Sequence, residues 1–308
     1  MTLSTHPATD DVRRILAQLR AAGDLTLDAV PWNRFDHFYG PGDEVPAMLT
    51  ALTGPDPERA ERALWDLWSK TRHQGVNEAV IALAVPFLLR SAADHGVRNR
   101  HELLFLAAEA GHRNHYGRAT RGDLFVVSDD PDDPAVDRCG RPVVWSQQAA
   151  REAVSASSAL LIYLLGDEDP LVRANAAYAL AGALSPPACV RTELRARLTG
   201  ETSPTVRMSL VLALAQLAVV HGDPDVGTWT GRWWSDDARP SDVRFAAALS
   251  WLCATPGPVP VEMRFLFHCV LGTGLERSMA DVPWADDLPR LGLLRWLTTF
   301  LDEGSPGR

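Results

Sequence analysis

From residue 54 onward, apolar positions recur at spacings of three and four residues in one segment after another, with short polar breaks between them. GPDPERAERALWDLWSK (54–70), NEAVIALAVPFLLRSAA (77–93), RHELLFLAAEAG (100–111) and VVWSQQAAREAVSASSALLIYLLG (143–166) each carry the period that predicts a helix. Pro86 falls inside the second and predicts a kink. Gly111 ends the third as a C-cap candidate. The segments near VPVEMRFLFHCVLG and DDLPRLGLLRWLTTFLDEG extend the pattern to the C-terminus.

Three of the segments align with one another. GDEDPLVRANAAYALAGAL (166–184), GETSPTVRMSLVLALAQLA (200–218) and DDARPSDVRFAAALSWLCA (236–254) each run from an acidic or polar lead-in through Pro to Val-Arg and an Ala/Leu-rich helix. The pairs Val172-Arg173, Val206-Arg207 and Val243-Arg244 follow at 34 and 37 residues, the scale of a two-helix repeat. Asp169, Ser203 and Ser241 are placed to accept from free N–H groups at the helix starts. Pro170 and Pro204 suit a first turn that needs no N–H partner. Ala174, Ala176, Ala177 and Ala181 allow close helix approach.

Asp-x-x-Val-Arg followed by Ala-Ala-x-x-Leu resembles the HEAT repeat, including the variant found in PBS-lyase-like proteins. The second copy departs from it with Leu210-Val211, and the third has an extra residue before Val243. The expected fold is all-α: a right-handed α-solenoid of stacked two-helix repeats over residues 1–308 as one domain. Residues 166–254 are its clearest repeats and 112–144 a loop insertion. The resemblance implies a concave binding surface lined by the second helix of each repeat.

Function is sought where the period fails. DAVPWNRFDHFYGPGDEVPAML (28–49) has aromatics between Pro and Gly without helical spacing, and offers Trp32, His37 and Tyr39 as pocket walls and a polar handle. SKTRHQGVNEA (69–79) places His73 and Gln74 beside Gly75 at a turn, where a left-handed C-cap is the plainer expectation. GHRNHYGRATRGD (111–123) opens the insertion with His112, His115 and Tyr116, and the acidic run Asp129–Asp137 behind it reads as a solvated tip. W-x-x-x-x-H-x-Y-G with a later H-Q-G and A-V-P-F-L-L is similar to a group of actinobacterial HEAT-repeat proteins. Here the matching residues are Trp32, His37, Tyr39, Gly40, His73, Gln74, Gly75 and Ala84 through Leu89. That likeness implies one shared feature without an assigned activity.

Charge narrows the choice. At −9 over 308 residues, the chain lacks the positive field that holds nucleic acid or an anionic bilayer. Lys70 is its single lysine, so Schiff-base chemistry would depend on that residue. The four cysteines form no C-x-x-C pair, and the N-terminus shows no apolar signal segment, so a cytoplasmic protein with reduced thiols is expected. No H-E-x-x-H pair fixes a metal geometry and no G-x-S-x-G marks a nucleophile, so neither a metal nor a cofactor is expected. The first reading is a binding or scaffold protein that engages a protein or peptide, a basic one by charge. The alternative is a small-molecule binder or a lyase- or isomerase-like enzyme, with His and Tyr as acid and base under the 112–144 loop. A HEAT-like DNA glycosylase is a remote third, opposed by the charge.

Overall fold

The structure is a computed structural model that describes residues 11–73, 76–113, 120–270, 274–286 and 292–302, with the backbone alone at 73, 76, 299 and 302. It falls into two compact units. The first holds the described residues up to 113 with 128–161 and 182–187; the second holds 120–127, 162–181 and those from 188 onward. The described portion of the expected insertion is thus divided between them. No helix among the described residues is long and apolar enough to cross a membrane.

In the first unit, α1 (Val12–Ala21), α2 (Val45–Leu52), α3 (Pro57–Thr71), α5 (Arg100–Glu109) and α6 (Val143–Ala156) surround α4 (Ala79–Ala92). Twelve of the fourteen residues of α4 are buried, which makes it the core helix of the unit. Its apolar residues run all round the axis because neighbours cover every face. Pro86 lies inside α4 as expected. Asp56 caps α3, accepting from the N–H groups of Glu58 and Arg59 at 3.1 and 3.3 Å. Two short antiparallel hairpins interrupt the helices. In one, β1 (Asp36–His37) pairs with β2 (Gly40–Pro41); in the other, β3 (Arg72–His73) pairs with β4 (Val76–Asn77). The helix expected over 143–166 breaks at Ser157, giving α6 and α7 (Ser158–Leu164).

The second unit contains the repeats. α8 (Pro170–Ala181), α10 (Pro204–Val220) and α12 (Ser241–Ala254) lie side by side, accompanied by α9 (Cys189–Gly200) and α11 (Val226–Ser235). Every residue of α8 from Val172 to Ala181 is buried, as is every residue of α10 from Met208 to Ala218. The repeated arginine explains the Val-Arg signature. Arg173 forms two 2.9 Å bonds to Glu201, which precedes the next repeat helix, and donates to the carbonyls of Asp167 and Glu168. Arg207 does the same one repeat later, reaching Asp242 while donating to the carbonyls of Glu201 and Thr202. Each arginine therefore ties its own lead-in to the repeat that follows. Bidentate guanidinium–carboxylate geometry fixes that register as lysine would not.

Two capping expectations change. Asp169 caps α8 through the N–H of Leu171 at 2.8 Å, but Ser203 makes no side-chain cap and Ser241 lies inside α12 behind Pro240. The Glu201 carboxyl accepts from the N–H groups of Thr202 and Ser203 at 3.0 and 2.9 Å and so holds the lead-in to α10.

After α13 (Val261–Val270), α14 (Leu275–Ala280) and the 3₁₀ turn Pro283–Ala285 fold back onto α8 and α10, and α15 (Leu293–Asp302) follows. Thr205 donates to the Ser278 carbonyl at 3.0 Å, and Trp284 Nε1 donates to Gln216 Oε1 at 2.7 Å. The Trp284 ring meets Tyr178 edge-on at 4.7 Å. Thr205 and Gln216 are eleven residues apart and so share one side of α10. This side of α10 is covered by the chain itself.

Candidate functional site

The two hairpins lie against the start of α4 in the first unit. Phe38 N–H donates to the Lys70 carbonyl at 2.7 Å, and Glu78 N–H to that of Thr71 at 3.0 Å, so the end of α3 is answered by backbone from both. This replaces the expected helical C-cap at the H-Q-G turn: α3 stops at Thr71 and the chain enters β3 directly.

Of the residues proposed as ligand contacts, Trp32, His37, Tyr39 and His112 are described in full. Gln74, His115 and Tyr116, with Gly75, lie outside the described residues, as does the His73 side chain. Trp32 is buried against Phe87 and donates through Nε1 to the Leu27 carbonyl at 2.7 Å. His37 is 1% exposed; its Nδ1 accepts from the Tyr39 N–H and its Nε2 faces Glu44 at 3.4 Å. Tyr39 is 61% exposed beside Phe38. His112 is buried with Nδ1 3.2 Å from Glu109. Lys70 is bonded to Glu44, and its ammonium holds that carboxyl below its usual range.

Sequence reasoning missed the polar residues that join these parts. Asn77 Nδ2 donates to the carbonyls of Glu109 and His112, closing the end of α5, and Arg72 is bonded to Glu109. Asp137, expected at a solvated tip, is 5% exposed. Its Oδ1 accepts from the N–H groups of Cys139 and Arg141. Gly140 completes this turn at φ +78°, a conformation that suits glycine. The signal was present as Asp-x-x-Gly, an Asx-turn spelling hidden in an acidic run. From the turn, Arg138 bonds the Phe38 carbonyl, Arg141 bonds that of Arg34 and lies over the Phe35 ring, and Cys139 Sγ is 3.5 Å from Asp36. Burial and the nearby Asp137 push the Cys139 thiol up, which makes it a poor nucleophile.

Space is tight where hairpin meets helix. A Cβ on Gly42 would lie 2.1 Å from the Phe35 carbonyl oxygen and 2.7 Å from that of Trp32, both backbone atoms. Gly42→Ala is expected to destabilise the chain by about 1–3 kcal/mol, read as a lower urea midpoint; an unchanged midpoint would show that this junction yields.

A separate surface offers itself to a partner. Glu58, Glu61, Arg62, Trp65, Asp66 and Trp68 of α3, with Asn99 and Glu102 at the start of α5, line an open cleft of about 760 Å³. The α3 residues recur at three and four, so they form the outward stripe of a helix whose Leu64 and Leu67 are buried. Trp65 is 71% exposed in the cleft, while Trp68 is braced by Phe105 at 5.8 Å and by Arg72 over its ring. Four carboxylates face a single guanidinium there. Among the described residues, no group of three or more His, Cys, Asp or Glu is arranged to hold a metal.

Compared with known proteins, the chain matches the family model for HEAT repeats over residues 157–250. No curated protein and no solved structure matches it. The matched span contains all of α8, α9, α10 and α11 and most of α12, together with the arginine–carboxylate ties between repeats. Residues 157–250 of the chain are therefore similar to HEAT repeats.

Proposed function

We propose that the chain is a protein-binding module that docks an arginine- or lysine-bearing segment of a partner in the α3/α5 cleft. The observation that carries this reading is an exposed tryptophan set among carboxylates. Trp65 presents its ring to solvent between Glu58, Glu61, Asp66 and Glu102. A guanidinium or ammonium over that ring gains a cation–π contact of about 0.5–2 kcal/mol, and the surrounding acids attract the same cation and repel acidic competitors. HEAT repeats supply the wider support, as such arrays serve as docking scaffolds. The side of α8 and α10 that bears Thr205 and Gln216 is buried under the chain's own Trp284 segment, which favours the α3/α5 cleft as the point of contact.

Short peptides with paired arginines, and matched peptides with glutamates in their place, test this by calorimetry at 50 and 200 mM salt. Binding of the basic peptides alone is expected, weakened by salt and weakened about tenfold by Trp65→Ala. Equal binding of both peptide classes, or full affinity in Trp65→Ala, would remove the cleft from consideration. Because Trp65 is exposed, its loss leaves the fold intact.

A further inference from the structure

We propose that the outward face of α13 pairs with the same face of a second copy of this chain, as an antiparallel helix pair centred on Phe265. The side chains at 261, 262, 265, 268 and 269 carry this inference, because they are exposed and complement themselves when turned end to end. The face belongs to the second unit and does not depend on what binds in the α3/α5 cleft.

Both sides of α13 carry apolar residues. Met263, Leu266, Phe267 and Val270 are buried, with Phe267 edge-on to Phe245 of α12 at 5.3 Å. That inner side holds the helix in its unit. At about 100° per residue, positions 261, 262, 265, 268 and 269 all fall within roughly 60° of Phe265 on the other side. Each of the five is exposed. Val261 and Phe265 stand at 76% and 68%, the highest values for large apolar side chains among the described residues of the second unit. A single exposed apolar side chain is ordinary, but two stacked one turn apart make a patch.

The occupant follows from the symmetry of the face. Val261 and Cys269 lie four residues either side of Phe265, and Glu262 and His268 lie three either side. A two-fold axis through Phe265 therefore sets Phe265 against its own copy, Val261 against Cys269, and Glu262 against His268. An imidazole N–H donates to a carboxylate at each end, so the polar rim is answered twice over. The apolar centre gains burial and a ring contact. A parallel pair would instead set Glu262 against Glu262 and align the helix dipoles unfavourably. Arg264, the one arginine of α13, does not intrude, because its Nη2 donates to the Leu301 carbonyl of α15 at 2.8 Å.

Size sets the strength of the pair. A helix of 10 residues is about 15 Å long. Two such helices bury less than the ~1,600 Å² of a standard interface. The dimer is accordingly weak, with a dissociation constant on the order of 10–100 μM, and it forms and parts with concentration. Pairing also covers Cys269, which is exposed in the single chain.

Sedimentation equilibrium of the full chain in reducing buffer, run up to about 500 μM, reads the association directly. The average mass should climb from one chain towards two. Phe265→Ser should weaken association by about tenfold or more. Phe265 is exposed, so the fold stands in that variant, and circular dichroism checks that it does. His268→Glu should weaken association as well, and Glu262→Lys added to it should restore it. Mild oxidation of Val261→Cys reads the geometry: the introduced thiol should join Cys269 of the second copy. In the wild type the two Cys269 thiols lie about 12 Å apart along the pair and should not join each other. A one-chain mass at every concentration would overturn the proposal and leave the face to a different partner. Undiminished association in Phe265→Ser, or a wild-type bridge between the two Cys269 thiols, would overturn it too.

Discussion

Glu201→Gln is expected to lower the unfolding free energy at pH 7 by about 3–5 kcal/mol, the range for breaking a buried ion pair from one side. The Glu201 side chain is 1% exposed and receives Arg173 in bidentate fashion, Arg197 from one helical turn before, and the backbone N–H groups of Thr202 and Ser203. An amide in its place keeps one acceptor and leaves Arg173, itself nearly buried, without a counter-charge. Burial alone would raise the Glu201 carboxyl, but the bonds from Arg173, Ser203 and Arg197 outweigh it and hold it at about 2. A depressed carboxyl stabilises the fold above its unfolded value of 4.5, and the contribution fades as pH falls towards 2. Urea denaturation should therefore show a wide gap between wild type and variant at pH 7 that closes near pH 2.5. A constant gap would mean that the variant loses packing and not charge. Breaking the Arg207–Asp242 tie should cost less at pH 7, since Arg207 is more exposed.

Trp284→Ala is expected to cost about 3–5 kcal/mol, as removal of a buried aromatic leaves a cavity in addition to the lost transfer energy. Trp284 is 7% exposed, edge-on to Tyr178, and supplies a hydrogen bond to Gln216, whose own Nε2 has no partner among the described residues. Trp284→Phe separates the two losses, since it keeps most of the ring contact and orphans Gln216 Oε1, for about 1–3 kcal/mol. Adding Gln216→Leu to Trp284→Phe should recover part of that, because both polar ends are then gone. Additive single effects in this cycle would show that the bond contributes nothing.

The repeats were legible because their pattern is local. Val-Arg, the preceding Asp or Ser and the Ala-rich stripe sit within one helix and its lead-in, and three copies reinforce one another. What the arginine reaches was not legible, because Glu201 and Asp242 lie 28 and 35 residues further on at different helix positions. Ser203 illustrates the same limit: its position and residue type suit a cap, but its side chain makes no cap bond in the fold. In the first unit, the helical period marked α4 as a helix but not as the core one, and the aromatic stretch leaves the helical period from 28 to 44, while 45–49 belong to α2. The hairpins were not seen, since strands of two residues carry no period at all. Asp137 was masked by its neighbours, because an exposed acidic run and a buried capping acid are spelled alike. The α3 cleft went unremarked because a solvent-facing tryptophan and a core tryptophan occupy equally good helical positions until a neighbouring helix is placed.

The turn that locks the first hairpin has a consequence for how the chain is made. Arg141, Cys139 and Arg138 reach Arg34, Asp36 and Phe38 across 107, 103 and 100 residues of sequence. A ribosome adding roughly 5–20 residues per second needs on the order of 5–20 s to cover that distance. For that interval the hairpin emerges without its closing partners, and Phe35, fully buried in the finished protein, lacks the cover of Arg141. This hairpin is thus synthesised early and secured late, and a nascent chain arrested before residue 138 keeps Phe35 without the cover of Arg141.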